Sequence, residues 1–261
     1  MKRRISILLY FIFLSYLPSF SQCIDKEKIT YGGDWRSVDF IHRCPTYNFA
    51  FGGDTSRNWS ILTNPIDIAQ APKEVLQYKD EIERIITEYS GTDFLSKLKF
   101  NSVEVVYPEK LKTFKDSGRL GVTLKYCKAK YFFYYEFKID TLSTYHIGIA
   151  LNKNGEIISK FNFPSRANYS PIDESFDYCK LIDIARKSQP RIDPIKYIKL
   201  EFNKETNRFY WLVEQEIVNR KEGVNYFNQV KIDASNIKDT KNIIGSAYVH
   251  ITSDIKYDIS N

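Results

Sequence analysis

The stretch from Tyr131 to Pro164, YFFYYEFKIDTLSTYHIGIALNKNGEIISKFNFP, constrains the fold more than any other part of the chain. Tyr131, Phe133, Tyr135, Phe137 and Ile139 fall on one face of an extended strand, and Glu136, Lys138 and Asp140 fall on the other. That alternation is the signature of a half-buried strand. Tyr145, Ile147, Ile149 and Leu151 alternate in the same way, and Asn154-Gly155 supplies the positive backbone angles of a tight hairpin turn. Ile157 to Phe163 is then expected to return alongside.

A second aromatic pair lies between Asn203 and Ala234. Phe209, Trp211, Val213 and Ile217 share a face that Gln215 interrupts. Val224, Tyr226, Val230, Ile232 and Ala234 share a face in which Asn228 is the polar exception. Composition agrees with strands, since aromatic residues make up 15% of the 261 residues and methionine occurs once.

Each aromatic pair has a helix before it. Val75, Tyr78, Ile82, Ile85 and Tyr89 keep helical spacing between Pro72 and Gly91, which suit the first turn and the stop. Pro171 to Ser188 reads as a second helix with Tyr178, Leu181, Ile182 and Ala185 on one side, ended by Gln189-Pro190. Strands near Ser102 to Tyr107, from Arg119 through Cys127, at Ile198 to Phe202 and at Ile243 to Ile251 complete the order helix, strand, strand, strand, twice. The expected fold class is α+β, a predominantly antiparallel sheet with two helices packed on it. The expected division is a leader at 1–21, an irregular segment at 22–71, and repeats at 72–163 and 164–261.

The leader has Lys2, Arg3 and Arg4, then an apolar run from Ile5 to Leu17 closed by Pro18, then Ser19-Phe20-Ser21. This is the plan of a secretory signal cut before Gln22, and it implies a periplasmic or secreted protein. The run falls short of the ~20 residues of a spanning helix, so no stable membrane insertion is expected after cleavage. Gln22 is a poor fit to the small residue that precedes a lipid-anchored cysteine, which argues against lipidation of Cys23. Three of the 38 basic residues lie in the leader, so the formal charge of +6 becomes +3 without it. Basic and acidic residues are interspersed, which argues against a nucleic-acid partner.

Cys23, Cys44, Cys127 and Cys179 allow three pairings in an exported protein. Bridges Cys23–Cys44 and Cys127–Cys179 close loops without threading one another; buried free thiols are the alternative.

Asp173 to Asp239, with IKYIKLEF, NRFYWLVEQEI and YFNQVKIDASNIKD, resembles the PepSY-type repeat, and Lys73 to Ser159 follows the same plan more loosely. The second copy has no glycine after Asp233-Ala234, and Lys110 to Gly118 is a longer insertion than the pattern carries. The resemblance implies an exported bacterial protein that binds or inhibits another protein, notably a peptidase, and it brings no catalytic residues.

Chemistry-bearing motifs are sparse. His42, His146 and His250 lie far apart with no HExxH, and no CxxC pair occurs, so neither a metal nor another cofactor is expected. No serine elbow or phosphate loop is present. Glu214 and Glu216 fall on one strand face about 7 Å apart, a spacing that glycosidases use and that any solvated strand also shows. Tyr31-Gly32-Gly33-Asp34-Trp35-Arg36 and Phe51-Gly52-Gly53-Asp54 with Trp59 echo one another and read as hairpin turns. Candidate binding residues are Trp35, Arg36 and Trp59 in these loops, and Phe132, Tyr134 and Tyr210, which face away from the main apolar stripes. Strands apolar on both faces are read as covered on both sides, with an exposed patch that meets a partner as the alternative. The leading function is a non-catalytic binding or inhibitory module for another envelope or secreted protein; the alternative is an envelope hydrolase using Glu214 and Glu216.

Overall fold

The computed structural model describes residues 23–34, 48–52, 66–106, 129–216, 219–221, 224–238 and 244–251. The strands are β1 Gly32–Asp34, β2 Asn48–Gly52, β3 Ile66–Asp67, β4 Leu98–Val106, β5 Tyr131–Lys138, β6 Thr144–Leu151, β7 Ile195–Asn203, β8 Arg208–Gln215, β9 Asn219–Lys221, β10 Val224–Asp233 and β11 Ile244–Ile251. The helices are α1 Lys73–Ser90, α2 Thr92–Ser96 and α3 Tyr178–Ser188. One sheet has the order β1-β6-β5-β4-β2-β3, and the other has β11-β10-β8-β7 with β9 paired to β10. Pairing is antiparallel except for β1 with β6 and β2 with β3. The fold is α+β: α1 and α2 precede β4, β5 and β6, and α3 precedes β7, β8, β9, β10 and β11.

The alternation read from the sequence sets the inner faces. In register, Val103, Phe133 and Ile149 align across β4, β5 and β6, and Leu200, Trp211 and Ile232 align across β7, β8 and β10. All six are fully buried or within 1% of it. They belong to one apolar cluster that also takes Val75, Ile82 and Ile86 of α1, Phe94 of α2, and Leu181, Ile182 and Ala185 of α3. The buried stripe of α1 runs through Ile86 rather than Ile85, because 3.6 residues per turn carries it there from Ile82 and Val75. At 18 residues, α1 begins after Pro72 and stops at Gly91, whose φ is 98°. Among the described residues, no helix is long and apolar enough to cross a membrane.

The two polar interruptions turn out to be one structure. Gln215 Nε2 donates to the carbonyls of Arg191 at 2.5 Å and Asp193 at 2.7 Å, while its Oε1 accepts from Asn228 N at 3.0 Å and Nδ2 at 2.6 Å. Gln215 thereby ties the loop between α3 and β7 to β8, and Asn228 Nδ2 reaches the same Arg191 carbonyl at 3.2 Å.

Several expectations require correction. The second helix starts at Tyr178, not near Pro171, with the Asp177 side chain capping Lys180 N. Ile157 to Phe163 does not form a full strand, since Leu151 and Ile157 make an isolated bridge and the chain then leaves the sheet. Tyr31-Gly32-Gly33-Asp34 is no hairpin turn either. Its glycines form β1, wedged so tightly that a Cβ on Gly32 would lie 1.7 Å from the Leu200 carbonyl oxygen, and one on Gly33, where φ is +75°, 2.2 Å from that of His146. Phe51-Gly52 ends β2, and the rest of that echo lies outside the described residues. So does the expected strand from Arg119 through Cys127.

The disulfide pairing also differs. Cys23 is bonded to Cys179, 156 residues away, with a Cα–Cα distance of 5.5 Å. Cys23–Cys44 and Cys127–Cys179 are therefore both ruled out. The pairing follows from docking: the N-terminal segment runs along β7, in the sheet that α3 covers at β8 and β10. Cys44 and Cys127 lie outside the described residues.

Candidate functional site

The candidate binding residues separate into two groups. Trp35, Arg36 and Trp59 lie outside the described residues, as does His42. Phe132, Tyr134 and Tyr210 are described, and at 4%, 1% and 5% exposed they are covered, which removes the alternative of an exposed aromatic patch there. Phe132 and Tyr134 sit on β5, flanked by β4 and β6, and Tyr210 is paired in register with Glu201 and Asp233 on either side. Interior strands leave such rings no open edge.

The face of the first sheet that carries Phe132 and Tyr134 also carries a cluster of buried polar and charged side chains. Glu104 lies opposite Phe132, Ser102 opposite Tyr134, and His146 opposite Glu136. A bulge between Phe100 and Ser102 sets Asn101 on the same side. Its Nδ2 donates to Glu136 Oε1 at 2.9 Å, and its Oδ1 accepts from Ser102 Oγ at 2.9 Å. Asn101, Ser102, Glu104, Glu136 and His146 are all buried. Two buried carboxylates on one sheet face demand compensation, because an uncompensated buried charge costs several kcal/mol. The amide of Asn101 supplies part of it at Glu136.

At the edge of this polar face stands Tyr31. Its ring stacks on His146 with centroids 5.0 Å apart and planes 24° apart. It is also 69% exposed, the one large apolar side chain so exposed among the described residues. The Asn162 side chain holds the same strand by donating to the His146 carbonyl at 3.1 Å. Among the described residues, no group of three or more His, Cys, Asp or Glu side chains is placed to hold a metal.

Glu214 and Glu216 sit in different surroundings. Glu214 is 8% exposed and accepts from Tyr197 OH at 2.6 Å, with Lys196 Nζ at 3.6 Å. Burial, and then this bond to Glu214, push the Tyr197 hydroxyl far above its ordinary value. Glu216 lies beyond the end of β8, half exposed, with Lys28 Nζ at 3.6 Å. Each carboxylate answers to its own cation. A glycosidase needs both acids facing one gap.

Some features escaped sequence reasoning altogether. Tyr31 carried only the signal of an aromatic residue before Gly-Gly, and Asn101 carried none, since bulges leave no residue signature. Protein-family models, curated proteins and solved structures were all compared with the chain, and none matches.

Proposed function

We propose that this chain is an exported, non-catalytic binding module for another envelope or secreted protein. The observation that carries the reading is the Tyr31 ledge: one aromatic ring stacked on His146 and 69% exposed, the one large apolar side chain so exposed among the described residues. Rigid exposed aromatic rings are favoured anchors at protein interfaces. The disulfide fits an oxidising compartment, in keeping with the leader at 1–21. The PepSY resemblance points to a peptidase as the kind of partner.

The hydrolase reading draws little support from Glu214 and Glu216, which are neutralised separately. The test is affinity capture of envelope and secreted proteins on the immobilised chain from Gln22 onward. A stoichiometric partner lost on Tyr31→Ala, with circular dichroism unchanged, is expected. Capture that ignores Tyr31→Ala refutes the ledge, and turnover of a glycan or peptide substrate abolished by Glu214→Gln refutes the non-catalytic reading.

A further inference from the structure

The segment from Cys23 to Asp34 is held in three short stretches. Its start is bonded to Cys179, a solvent-exposed residue on the first turn of α3. In its middle, Lys28 Nζ donates to the Ile195 carbonyl at 2.7 Å, Thr30 N donates to the Ile198 carbonyl at 2.9 Å, and Ile29 bridges Ile198 in parallel. At its end, Gly32, Gly33 and Asp34 pair in parallel with Tyr145, His146 and Ile147. The strap therefore passes from the edge strand of the second sheet, β7, to that of the first, β6, and fills the slot between them. Gly32 fits only because it lacks a side chain. Three register pairs and one bridge are little pairing, and such short edge elements open at the low end of the local stability range.

We propose that the Cys23–Cys179 bond is a redox latch, and that a dithiol reductant opens it and frees the strap Cys23–Asp34 from the slot between β6 and β7 while both repeats stay folded. The inference goes beyond the binding reading and does not depend on it. One thiolate of the dithiol attacks Cys23 Sγ, the bond between the two Sγ atoms breaks, and its electron pair leaves on Cys179 Sγ. The second thiol of the dithiol then displaces Cys23 Sγ, so the dithiol is oxidised to a disulfide and the protein gains two thiols. Cys179 is the better leaving group, because the dipole at a helix start favours a thiolate there. Cys179 is exposed and Cys23 half-buried, which leaves the bond within reach of the reductant, and exposed disulfides are the labile ones. Once free, the strap uncovers the backbone edges of β6 and β7.

Hydrogen exchange by mass spectrometry on the chain from Gln22 onward tests this in three forms: oxidised, reduced and alkylated, and Cys23→Ser. Reduction and Cys23→Ser are each expected to speed exchange about tenfold or more over residues 23–34 and in β6, with α1 and β8 unchanged. Unchanged protection of the strap overturns the proposal, because pairing alone then holds it. Faster exchange throughout α1 and β8 also overturns it, because the bond is then a global staple and not a latch. Gly32→Ala in the oxidised chain supplies the independent arm. It should free residues 29–34 with the bond intact, and retained protection there shows that the slot does not hold the strap.

Discussion

Replacing Phe209 by alanine tests whether the two repeats share one core. Phe209 is 4% exposed on β8, but most of its ring contacts belong to the first repeat. Its ring stacks on Phe137 at 5.7 Å and 9°, meets Tyr145 edge-on at 5.0 Å, and lies 6.3 Å from Phe94 and 6.0 Å from Phe202. Phenylalanine to alanine in a packed core costs about 3–5 kcal/mol. About 4 kcal/mol is close to a thousandfold in the folding equilibrium and roughly 8–16 °C in Tm for a chain of this size. Urea unfolding followed by far-ultraviolet circular dichroism measures the loss. Hydrogen exchange in α1 and α3 shows where it falls. A single displaced transition, with both helices losing protection together, is expected. A loss below about 1 kcal/mol, or α1 unchanged while α3 opens, refutes the shared core. Phe209→Leu keeps most of the volume and should cost less than half as much.

Gly155→Ala should destabilise by about 1–3 kcal/mol, because φ there is +82° and a Cβ would lie 2.2 Å from the Tyr78 ring; thermal melts read it, and an unchanged Tm means that the turn relaxes. Gln215→Leu takes the Gln215 amide from the Asp193 carbonyl and leaves the Arg191 carbonyl only Asn228 Nδ2, and it should cost about 1–3 kcal/mol. In urea unfolding, Gln215→Leu combined with Asn228→Leu should cost less than the two single changes together, since they share one network; strict additivity contradicts the network. Alkaline stability should fall through Tyr178 and Tyr197, both raised first by burial and then by bonds to Asp140 and Glu214. A raised folded value means that this stability is full below the unfolded tyrosine value near 10 and is lost as pH rises beyond it. Tyr197→Phe should flatten the fall in urea midpoint between about pH 10 and 11.5, and an unaltered slope refutes the assignment.

The inner faces were legible because they are local. Tyr131 to Phe137, Tyr145 to Leu151 and Phe209 to Val213 each state their buried side within one strand, and register with neighbours follows once the faces match. The ends of α1 were legible for the same reason, since Pro72 and Gly91 act on the adjacent backbone. Gln215 and Asn228 were visible as exceptions, but not as partners, because their meeting depends on where the loop at Arg191 to Asp193 lies. What covers the outer face lies beyond the same limit. Alternation tells which residues share a side, and says nothing of what covers it.

The strap shows why the remainder was illegible. Tyr31-Gly32-Gly33-Asp34 has the composition of a turn, and its neighbours in sequence offer no reason for another assignment. The reason lies more than a hundred residues away, in the carbonyls of His146 and Leu200 that leave no space for a Cβ. Glycine there answers close approach of two backbones and not chain reversal, and the two demands leave the same mark on a sequence. The cysteines repeat the lesson. Loops that avoid threading favour Cys23 with Cys44, yet once β1 is laid beside β6 and Ile29 beside Ile198, the start of the strap is carried to α3 and Cys23 reaches Cys179. The bond and the glycines are thus two consequences of a single docking, and the same docking sets Tyr31 on His146. A change that lifts the strap must therefore move the ledge as well. If Tyr31 anchors a partner, binding should weaken in the Gly32→Ala chain although the tyrosine itself is untouched. Full binding by that variant would separate the ledge from the strap and break the argument that joins them.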